Sequence, residues 1–275
     1  MIPRLLVSVR NASEAGAAFE GGADVIDIKE PESGPLGRAK ADVVNDICLH
    51  LSRIRCSTPV SAALGKVSEW NGTSREDQCS VLRQVTSLNS PVRFLKVGLS
   101  GTGISETSGS GQTAFSRWAA LRARVAAAAS ENQPVSEMTK TPAVDPFSST
   151  PGCRWIGVAY ADFSRCGAPT PAEVINEAAR AGCYGVLIDT FLKDGYGLLN
   201  WMSSADLSAA RDQCDRNQLI LALAGQVKLQ HLNTLVALRP DIVAVRGSVC
   251  ESGDRRAEVS ATLVRQFRET LRQVS

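Results

Sequence analysis

The sequence predicts an α/β protein that folds as one closed barrel of eight strands and eight helices. Three observations support this prediction. The chain has 275 residues, which suits one barrel of this kind, since such barrels typically have about 250 residues. Short runs rich in valine, isoleucine and leucine alternate with helical patterns, as in parallel strands covered by helices. Eight of each can be counted along the chain, which is the number that closes a (β/α)8 barrel.

The predicted strands are short and largely apolar on both faces. They are Leu5–Val9, Val25–Lys29, Val60–Leu64, Phe94–Leu99, Trp155–Ala161, Gly185–Asp189, Leu219–Leu223 and Ile242–Arg246. A doubly wound open sheet is the structural alternative, and it requires that some of these runs are not strands. The regular alternation over the whole chain favours a single TIM-type (β/α)8 domain over residues 1–275.

The predicted helices lie between these strands. They are Ser13–Glu20, Lys40–Arg53, Ser74–Thr86, Ala114–Ala129, Pro171–Ala181, Ser204–Asn217, Lys228–Val236 and Arg256–Arg272. Ser13 and Ser204 are predicted N-caps, and Pro171 suits a first helical turn. Gly21-Gly22 is typical of the end of a helix.

Two stretches interrupt the alternation. Residues 130–152 are polar and contain four prolines, Pro134, Pro142, Pro146 and Pro151. They connect a helix to a strand, at the end of a barrel away from the usual active site, so we predict a flexible insertion without a catalytic part. The glycine- and serine-rich stretch 98–111 follows the fourth strand and is therefore expected on the active face.

Composition excludes several classes of protein. The formal charge is +2, from 30 basic and 28 acidic residues, and no long basic run indicates nucleic acid or an anionic membrane as partner. No stretch approaches the roughly 20 apolar residues that cross a bilayer, and the first residues lack a signal-peptide pattern. The eight cysteines form no C-x-x-C pair and the two histidines lie near no cysteine or acidic cluster, so we predict a cytoplasmic protein without disulfides or a metal site.

The ends of the predicted strands carry the residues on which a functional prediction rests. Alternation places Asp27 and Lys29 on the same face of the second strand. Lys96 lies in the fourth strand, Asp189 ends the sixth, and Lys193 follows four residues later. Because functional groups of such barrels lie at the carboxyl ends of the strands, we expect these lysines and aspartates to converge at one mouth.

Several ammonium groups close together lower one another's pKa, so that one lysine can be a free amine near neutral pH. A free amine can attack a carbonyl and form a Schiff base, while a second lysine moves protons. Structural ion pairing is the alternative for each Lys/Asp pair, and it is a weaker explanation for all of them together.

The last two strand–helix loops indicate a phosphate site. Gly225 follows the seventh strand, and Arg246-Gly247-Ser248 ends the eighth. Glycine lets a backbone approach a ligand closely, and these two loops commonly form the phosphate site of such barrels. Arg255 could add a cation. Tight turns that only require glycine are the alternative explanation.

Six stretches together resemble one known family. They are GGADVIDIKEPESGPLG at 21–37, FLKVGL at 94–99, YADFSRCGA at 160–168, GVLIDTFLKDG at 185–195, LALAG at 221–225 and VRGSVCESGDR at 245–255. The chain resembles the (5-formylfuran-3-yl)methyl phosphate synthases, also called 4-(hydroxymethyl)-2-furancarboxaldehyde-phosphate synthases, of methanofuran biosynthesis. Lys66 and the stretch 130–152 depart from the family pattern.

The resemblance implies a TIM-type lyase without a cofactor. Such an enzyme condenses two molecules of glyceraldehyde 3-phosphate into a phosphorylated furan aldehyde and releases phosphate and water. The resemblance assigns the Schiff base to Lys29, proton acceptance to Lys96, a supporting pair to Asp189 and Lys193, and an assisting role to Asp27.

The predicted substrate- and phosphate-binding residues are Asp162, Gly225, Arg246, Gly247, Ser248 and Arg255. The expected partner is a small phosphorylated substrate, and the oligomeric state, including a homo-oligomer, stays open. Two other functions remain: a Schiff-base aldolase for another phosphorylated sugar, and a non-catalytic barrel that binds a phosphorylated metabolite.

Overall fold

The fold is a closed barrel of parallel strands surrounded by helices, in agreement with the prediction. It is seen in a computed structural model that describes residues 2–71, 75–87, 90–101, 113–131 and 153–275. Within these residues the strands follow in the order β1 to β8 around the barrel, and β8 pairs with β1. The strands are β1 (Arg4–Val9), β2 (Val25–Ile28), β3 (Val60–Lys66), β4 (Val92–Gly98), β5 (Arg154–Tyr160), β6 (Gly185–Asp189), β7 (Ile220–Leu223) and β8 (Ile242–Val245).

The helices cover the outside of the barrel. They are α1 (Ala12–Glu20), α2 (Ala41–Arg53), α3 (Arg75–Thr86), α4 (Ala114–Glu131), α5 (Phe163–Cys166), α6 (Pro171–Arg180), α7 (Leu198–Trp201), α8 (Ser204–Arg216), α9 (Leu232–Ala237) and α10 (Ala261–Gln273). The sequence did not predict the short helices α5 and α7, which lie in the loops after β5 and β6. Among the described residues, no helix has the length and apolar character needed to cross a membrane.

The two predicted N-caps are wrong by one or two residues, for reasons that the hydrogen bonds explain. The N-cap of α1 is Asn11 instead of Ser13, because the Asn11 side chain accepts a hydrogen bond from the Glu14 amide at 2.8 Å. The N-cap of α8 is Ser203 instead of Ser204, and Ser203 forms a reciprocal capping box with Asp206. Pro171 opens α6 as predicted.

The last two helices also begin later than predicted. The segment predicted to be helical from Lys228 starts as a 3-10 turn at Leu229–His231 and becomes α9 only at Leu232. The last helix starts at Ala261 and not at Arg256, because Val259 forms an antiparallel bridge to Cys250.

Strand alternation divides the buried side chains between two regions. One set fills the barrel and includes Leu6, Val25, Ala63, Phe94, Ile156, Val158, Leu187, Ala222, Ile242 and Ala244. The residues next to these in sequence, such as Leu5, Val7 and Ile26, belong to the larger core that contains the helix side chains. Each strand therefore points every second residue into the barrel, which determines the side chains that reach the cavity.

Two of the predicted features fall on residues outside the description. The proposed insertion 130–152 begins at the end of α4, and residues 132–152 lie outside the described residues. Most of the glycine-rich stretch 98–111, from residue 102 onward, also lies outside the described residues.

Candidate active site

The five residues predicted to carry the chemistry line one cavity of about 470 Å³ at the carboxyl ends of the strands. They are Asp27, Lys29, Lys96, Asp189 and Lys193. Asp27 lies in β2 and Lys29 follows that strand by one residue, so both point inward. Lys96 lies in β4, and Asp189 is the last residue of β6. The structure thus brings together groups from three strands that are far apart in sequence.

Asp27 lies at the centre of a buried polar network. Its carboxylate Oδ1 accepts a hydrogen bond from Ser61 Oγ and contacts Lys96 Nζ, both at 2.6 Å. Its Oδ2 accepts a hydrogen bond from Ser8 Oγ at 3.0 Å. The strand register explains this arrangement, because Ser8 lies beside Asp27 in the β1–β2 pair and Ser61 lies beside it in the β2–β3 pair. Each member of the network is less than 4% exposed, so the carboxylate depends on these three donors.

Lys29 is buried but lacks such a partner. It is 8% exposed, and within the described residues no hydrogen bond or ion pair reaches its Nζ. Burial lowers the pKa of Lys29 from 10.5 to about 7, because a charged amine loses its hydration there. The carboxylates of Asp189 and Asp27 act in the opposite direction, and the ammonium groups of Lys193 and Lys96 add to the lowering. The amine is consequently half deprotonated near neutral pH.

Asp189 and Lys193 form a second pair within one loop. Lys193 Nζ donates to Asp189 Oδ1 at 2.7 Å and to Thr190 Oγ1 at 2.9 Å. The Thr190 amide also donates to Asp189 Oδ1, at 2.7 Å. Burial tends to raise the pKa of Asp189, but the ammonium groups of Lys193 and Lys29 and these hydrogen bonds lower it below its usual value. Asp189 is therefore a carboxylate at neutral pH, close to Lys29.

The predicted phosphate-binding loops line the same cavity. Gly225, Gly247, Ser248 and Arg255 all contribute to the lining. Gly225 has a φ of +102°, and a Cβ atom there would lie 3.1 Å from the Thr190 nitrogen, so a side chain at this position would strain the backbone and crowd Thr190. The Ser248 hydroxyl donates to the Val227 carbonyl and joins the two loops.

Arg255 extends into the cavity from the loop after β8. Its Nη2 donates to the carbonyls of Pro31 and Gly34 at 3.0 and 3.2 Å, which fastens the loop that follows β2. Within the described residues, no hydrogen bond uses its Nε or Nη1. Arg255 therefore has donors available for an anion in the cavity.

Arg246 also borders the cavity, but its guanidinium is fully engaged by the protein. Nη1 donates to the Glu14 carboxylate at 2.7 Å and to the Ser8 carbonyl at 2.9 Å. Nη2 donates to Glu14 at 3.1 Å and to the Ala257 carbonyl at 3.4 Å, and Nε donates to the Arg255 carbonyl at 2.5 Å. All five N–H groups have partners, so in this arrangement Arg246 connects β8 to α1 and to the loop that carries Arg255.

Asp162 is buried but does not line the cavity. Its carboxylate oxygens accept hydrogen bonds from the amides of Phe191 and Leu192, at 2.6 and 2.9 Å. Asp162 thereby holds the loop after β6 that bears Lys193. The structure does not bring it together with the other predicted binding residues.

Sequence reasoning missed the two serines that bind Asp27 and a lysine at the cavity mouth. Ser8 and Ser61 stand at inward-facing positions of otherwise apolar strands, and that alternation is a signal that could have identified them. Lys228 is exposed and lines the cavity beside Gly225, but a lysine at the start of a helical pattern carries no distinctive signal. Among the described residues, His, Cys, Asp and Glu side chains form no group of three that could hold a metal ion.

Similarity to solved structures concerns the fold alone. The 3-hexulose-6-phosphate synthase from Salmonella typhimurium has a TM-score of 0.57 at 13% identity and matches over 99% of this chain and 100% of its own. The structure titled KGPDC from Streptococcus mutans has a TM-score of 0.56 at 11% identity, over 100% and 99% of the two chains. Both are consistent with a (β/α)8 barrel that spans the chain.

Sequence similarity is closer to one group of archaeal proteins. A protein from Methanopyrus kandleri named (5-formylfuran-3-yl)methyl phosphate synthase is 34% identical over 98% of this chain and 100% of its own length. A protein of the same name from Methanothermobacter thermautotrophicus is 32% identical over 97% of this chain and 98% of its own. The family profile described as 4-HFC-P synthase matches residues 5–268. The chain therefore belongs to the 4-HFC-P synthase family.

Proposed function

We propose that this protein is a (5-formylfuran-3-yl)methyl phosphate synthase that condenses two molecules of glyceraldehyde 3-phosphate through a Schiff base on Lys29. Phosphate and water leave, and a phosphorylated furan aldehyde remains for a methanofuran-type cofactor. The family relationship supports the product, and the cavity supports the mechanism. The observation that carries the mechanism is a buried lysine amine with a pKa of about 7 and no direct partner among the described residues.

Lys29 suits the nucleophile because attack on an aldehyde requires a lone pair on nitrogen. An ordinary lysine, with a pKa near 10.5, is almost fully protonated at neutral pH. Near its lowered value about half of the Lys29 population is free amine, and the same burial keeps bulk water from an imine.

Lys96 and the two aspartates suit proton transfer and charge control. The 2.6 Å contact between Lys96 and Asp27 is typical of an ammonium and a carboxylate. Lys96 would therefore first donate a proton, for example to an oxygen that leaves, and accept one afterwards. Asp189, close to Lys29 and bound to Lys193, would stabilise the positive charge of the protonated imine.

The charge of the cavity suits phosphorylated substrates. Its lining includes six basic side chains and two acidic ones. We propose that the backbone at Gly225, Gly247 and Ser248 and the available guanidinium donors of Arg255 bind phosphate. Arg246 would contribute through the loop that it holds, and Asp162 through the position of Lys193.

Trapping of the imine tests the proposal. We expect borohydride, added together with glyceraldehyde 3-phosphate, to reduce a substrate imine to a stable adduct on Lys29, which peptide mass spectrometry can locate. Without borohydride, the same incubation should produce an ultraviolet-absorbing furan aldehyde and free phosphate. Lys40→Ala, at an exposed lysine outside the cavity, is the control and should retain both signals.

The outcomes separate the alternatives. An adduct on Lys29 without a furan product would favour a Schiff-base aldolase for another phosphorylated sugar. Folded protein that binds the substrate but yields neither an adduct nor a product would favour a binding barrel and refute the proposed mechanism.

A further inference from the structure

We propose that Ser8 and Ser61 are positioning residues that fix the Asp27 carboxylate on Lys96 and so leave Lys29 without a direct carboxylate partner. The inference rests on the proposed function for its catalytic meaning, since there Lys29 must be the free amine. The inference itself concerns only how Lys29 and Lys96 share the Asp27 carboxylate, which can be measured without substrate.

The geometry supports a fixed orientation of Asp27. Ser8 and Ser61 flank it on the neighbouring strands β1 and β3 and donate to different oxygens, Ser8 to Oδ2 at 3.0 Å and Ser61 to Oδ1 at 2.6 Å. A carboxylate held at both oxygens from two sides cannot rotate without breaking a hydrogen bond. Each serine is at most 3% exposed, so water cannot easily replace its hydroxyl.

The two hydroxyls also limit how strongly the carboxylate attracts ammonium groups. An ionised carboxylate has about four acceptor sites, and here two serines and Lys96 occupy three of them. Removal of a serine leaves the same negative charge with fewer donors in a site of low dielectric, where an unsatisfied charge is costly. The remaining donors within reach are ammonium groups, and we expect the carboxylate to hold them more strongly.

Loss of the two serines should change the contacts of Lys29 more than those of Lys96. Lys96 is already in direct contact with Asp27, whereas Lys29 has no hydrogen bond or ion pair in the described part of the chain. The groups that face Lys29 are Asp27 from β2, Lys96 from β4, and Asp189 and Lys193 from β6 and its loop. Of these, Asp189 is held by Lys193 and by the Thr190 amide. Without its serines Asp27 would keep only Lys96, so we expect Asp27 to be the carboxylate more able to move toward Lys29.

The experiment measures the reactivity of the Lys29 amine as a function of pH. The full-length wild type and the Ser8→Ala/Ser61→Ala double variant are methylated with formaldehyde and a mild borohydride reagent. The methylated fraction of Lys29 is followed by peptide mass spectrometry. We expect the midpoint of reactivity in the double variant to rise by about one pH unit, which lowers the free amine at pH 7 roughly fivefold.

Ser100→Ala is the matched control, because Ser100 is a buried serine, 1% exposed, that is not hydrogen-bonded to Asp27. It should leave the midpoint unchanged. An unchanged or lowered midpoint in the folded double variant would overturn the inference. If thermal unfolding shows that the double variant does not fold, the single variants replace it. Each should move the midpoint upward by a smaller amount, and no shift in either would refute the inference.

This measurement does not depend on the proposed reaction. A shifted midpoint together with no glyceraldehyde 3-phosphate adduct would support the role of the serines and count against the proposed function. An unshifted midpoint together with a normal adduct would refute the role of the serines and support the proposed function.

Discussion

The N-terminal half of the barrel, β1–β4, and the C-terminal half, β5–β8, contribute to the cavity in different ways. The N-terminal half supplies side chains from strand positions or the residue directly after a strand: Ser8, Asp27, Lys29 and Lys96. Apart from Asp189 at the end of β6, the polar and glycine residues that the C-terminal half supplies lie mainly in loops: Lys193, Gly225, Gly247, Ser248 and Arg255. The proposed nucleophile Lys29 and the proposed proton carrier Lys96 thus lie on a strand or directly after one, whereas the proposed phosphate contacts lie on loops.

This difference indicates a division of tasks. Strand positions are fixed by register on both sides, which suits groups whose protonation depends on neighbours within hydrogen-bond distance. Loops adapt more easily to a ligand. If the division is correct, substitutions in the N-terminal half should reduce turnover, and substitutions in the loops of the C-terminal half should weaken substrate binding.

Lys29→Arg should have the largest effect. Arginine keeps the positive charge but is not deprotonated in proteins, so it cannot form an imine. We expect furan formation to fall by at least ~10³-fold and the borohydride adduct to disappear. Rates from ultraviolet absorbance measure this effect, and Lys40→Arg is the control. Retained turnover would remove Lys29 from the mechanism and with it the proposed role of the N-terminal half.

Lys96→Met should have the second-largest effect and separates proton transfer from nucleophilic attack. Loss of a positioned proton carrier typically costs about 10²-fold or more in turnover. The adduct on Lys29 should still form, but more slowly near neutral pH, because loss of the Lys96 ammonium frees Asp27 and raises the pKa of Lys29. Measurement of both signals in one preparation checks this prediction. Disappearance of the adduct with folded protein would show that Lys96 is also needed for the attack by Lys29.

Arg255→Gln tests the C-terminal half. Loss of charged hydrogen bonds to phosphate, at about 1.5–3 kcal/mol each, should raise KM by about 10–100-fold, with kcat changed by less than about threefold. Arg256→Gln is the matched control, because Arg256 is exposed and its guanidinium binds Asp254 away from the cavity. Steady-state kinetics of both variants measures KM and kcat. A fall in kcat with KM unchanged would contradict the division of tasks.

Lys29→Met tests the burial of this amine through stability instead of activity. Folding lowers the pKa of Lys29 from 10.5 to about 7, so between these values the unfolded chain binds more protons than the folded protein. Wild-type stability therefore rises with pH across this range, and burial of the charged amine is most costly below about pH 7. Methionine removes this cost, with an upper bound of about 5 kcal/mol at about 1.4 kcal/mol per pKa unit.

Urea unfolding at acidic and at alkaline pH checks this prediction. We expect the variant to be more stable than the wild type near pH 6, and its advantage to shrink as the pH approaches 10.5. Lys40→Met should show no comparable dependence. An advantage that is independent of pH would mean that the amine is not buried as described.

The sequence predicted the barrel and the candidate residues that line the cavity, with the exception of Asp162. It predicted the pair of Asp189 and Lys193, but not the hydrogen bonds of Asp27 and Arg246. Strand alternation was sufficient to place Asp27 and Lys29 on one face, and the topology brought Lys96 and Asp189 to the same cavity. The hydrogen bonds of Ser8 and Ser61 could not be foreseen, because they depend on lateral register between strands. The five contacts of Arg246 could not be foreseen either, because the direction of a long side chain depends on packing from α1 and from the loop after β8.

The acidic neighbours of Lys29 come from both halves of the barrel, Asp27 from β2 and Asp189 from β6. A nascent chain that has left the ribosome only as far as β4 has an ordinary lysine at this position, protonated in the cell. Its amine should therefore react with cellular aldehydes more slowly than the amine of the folded protein, and the higher reactivity should arise only when the barrel closes.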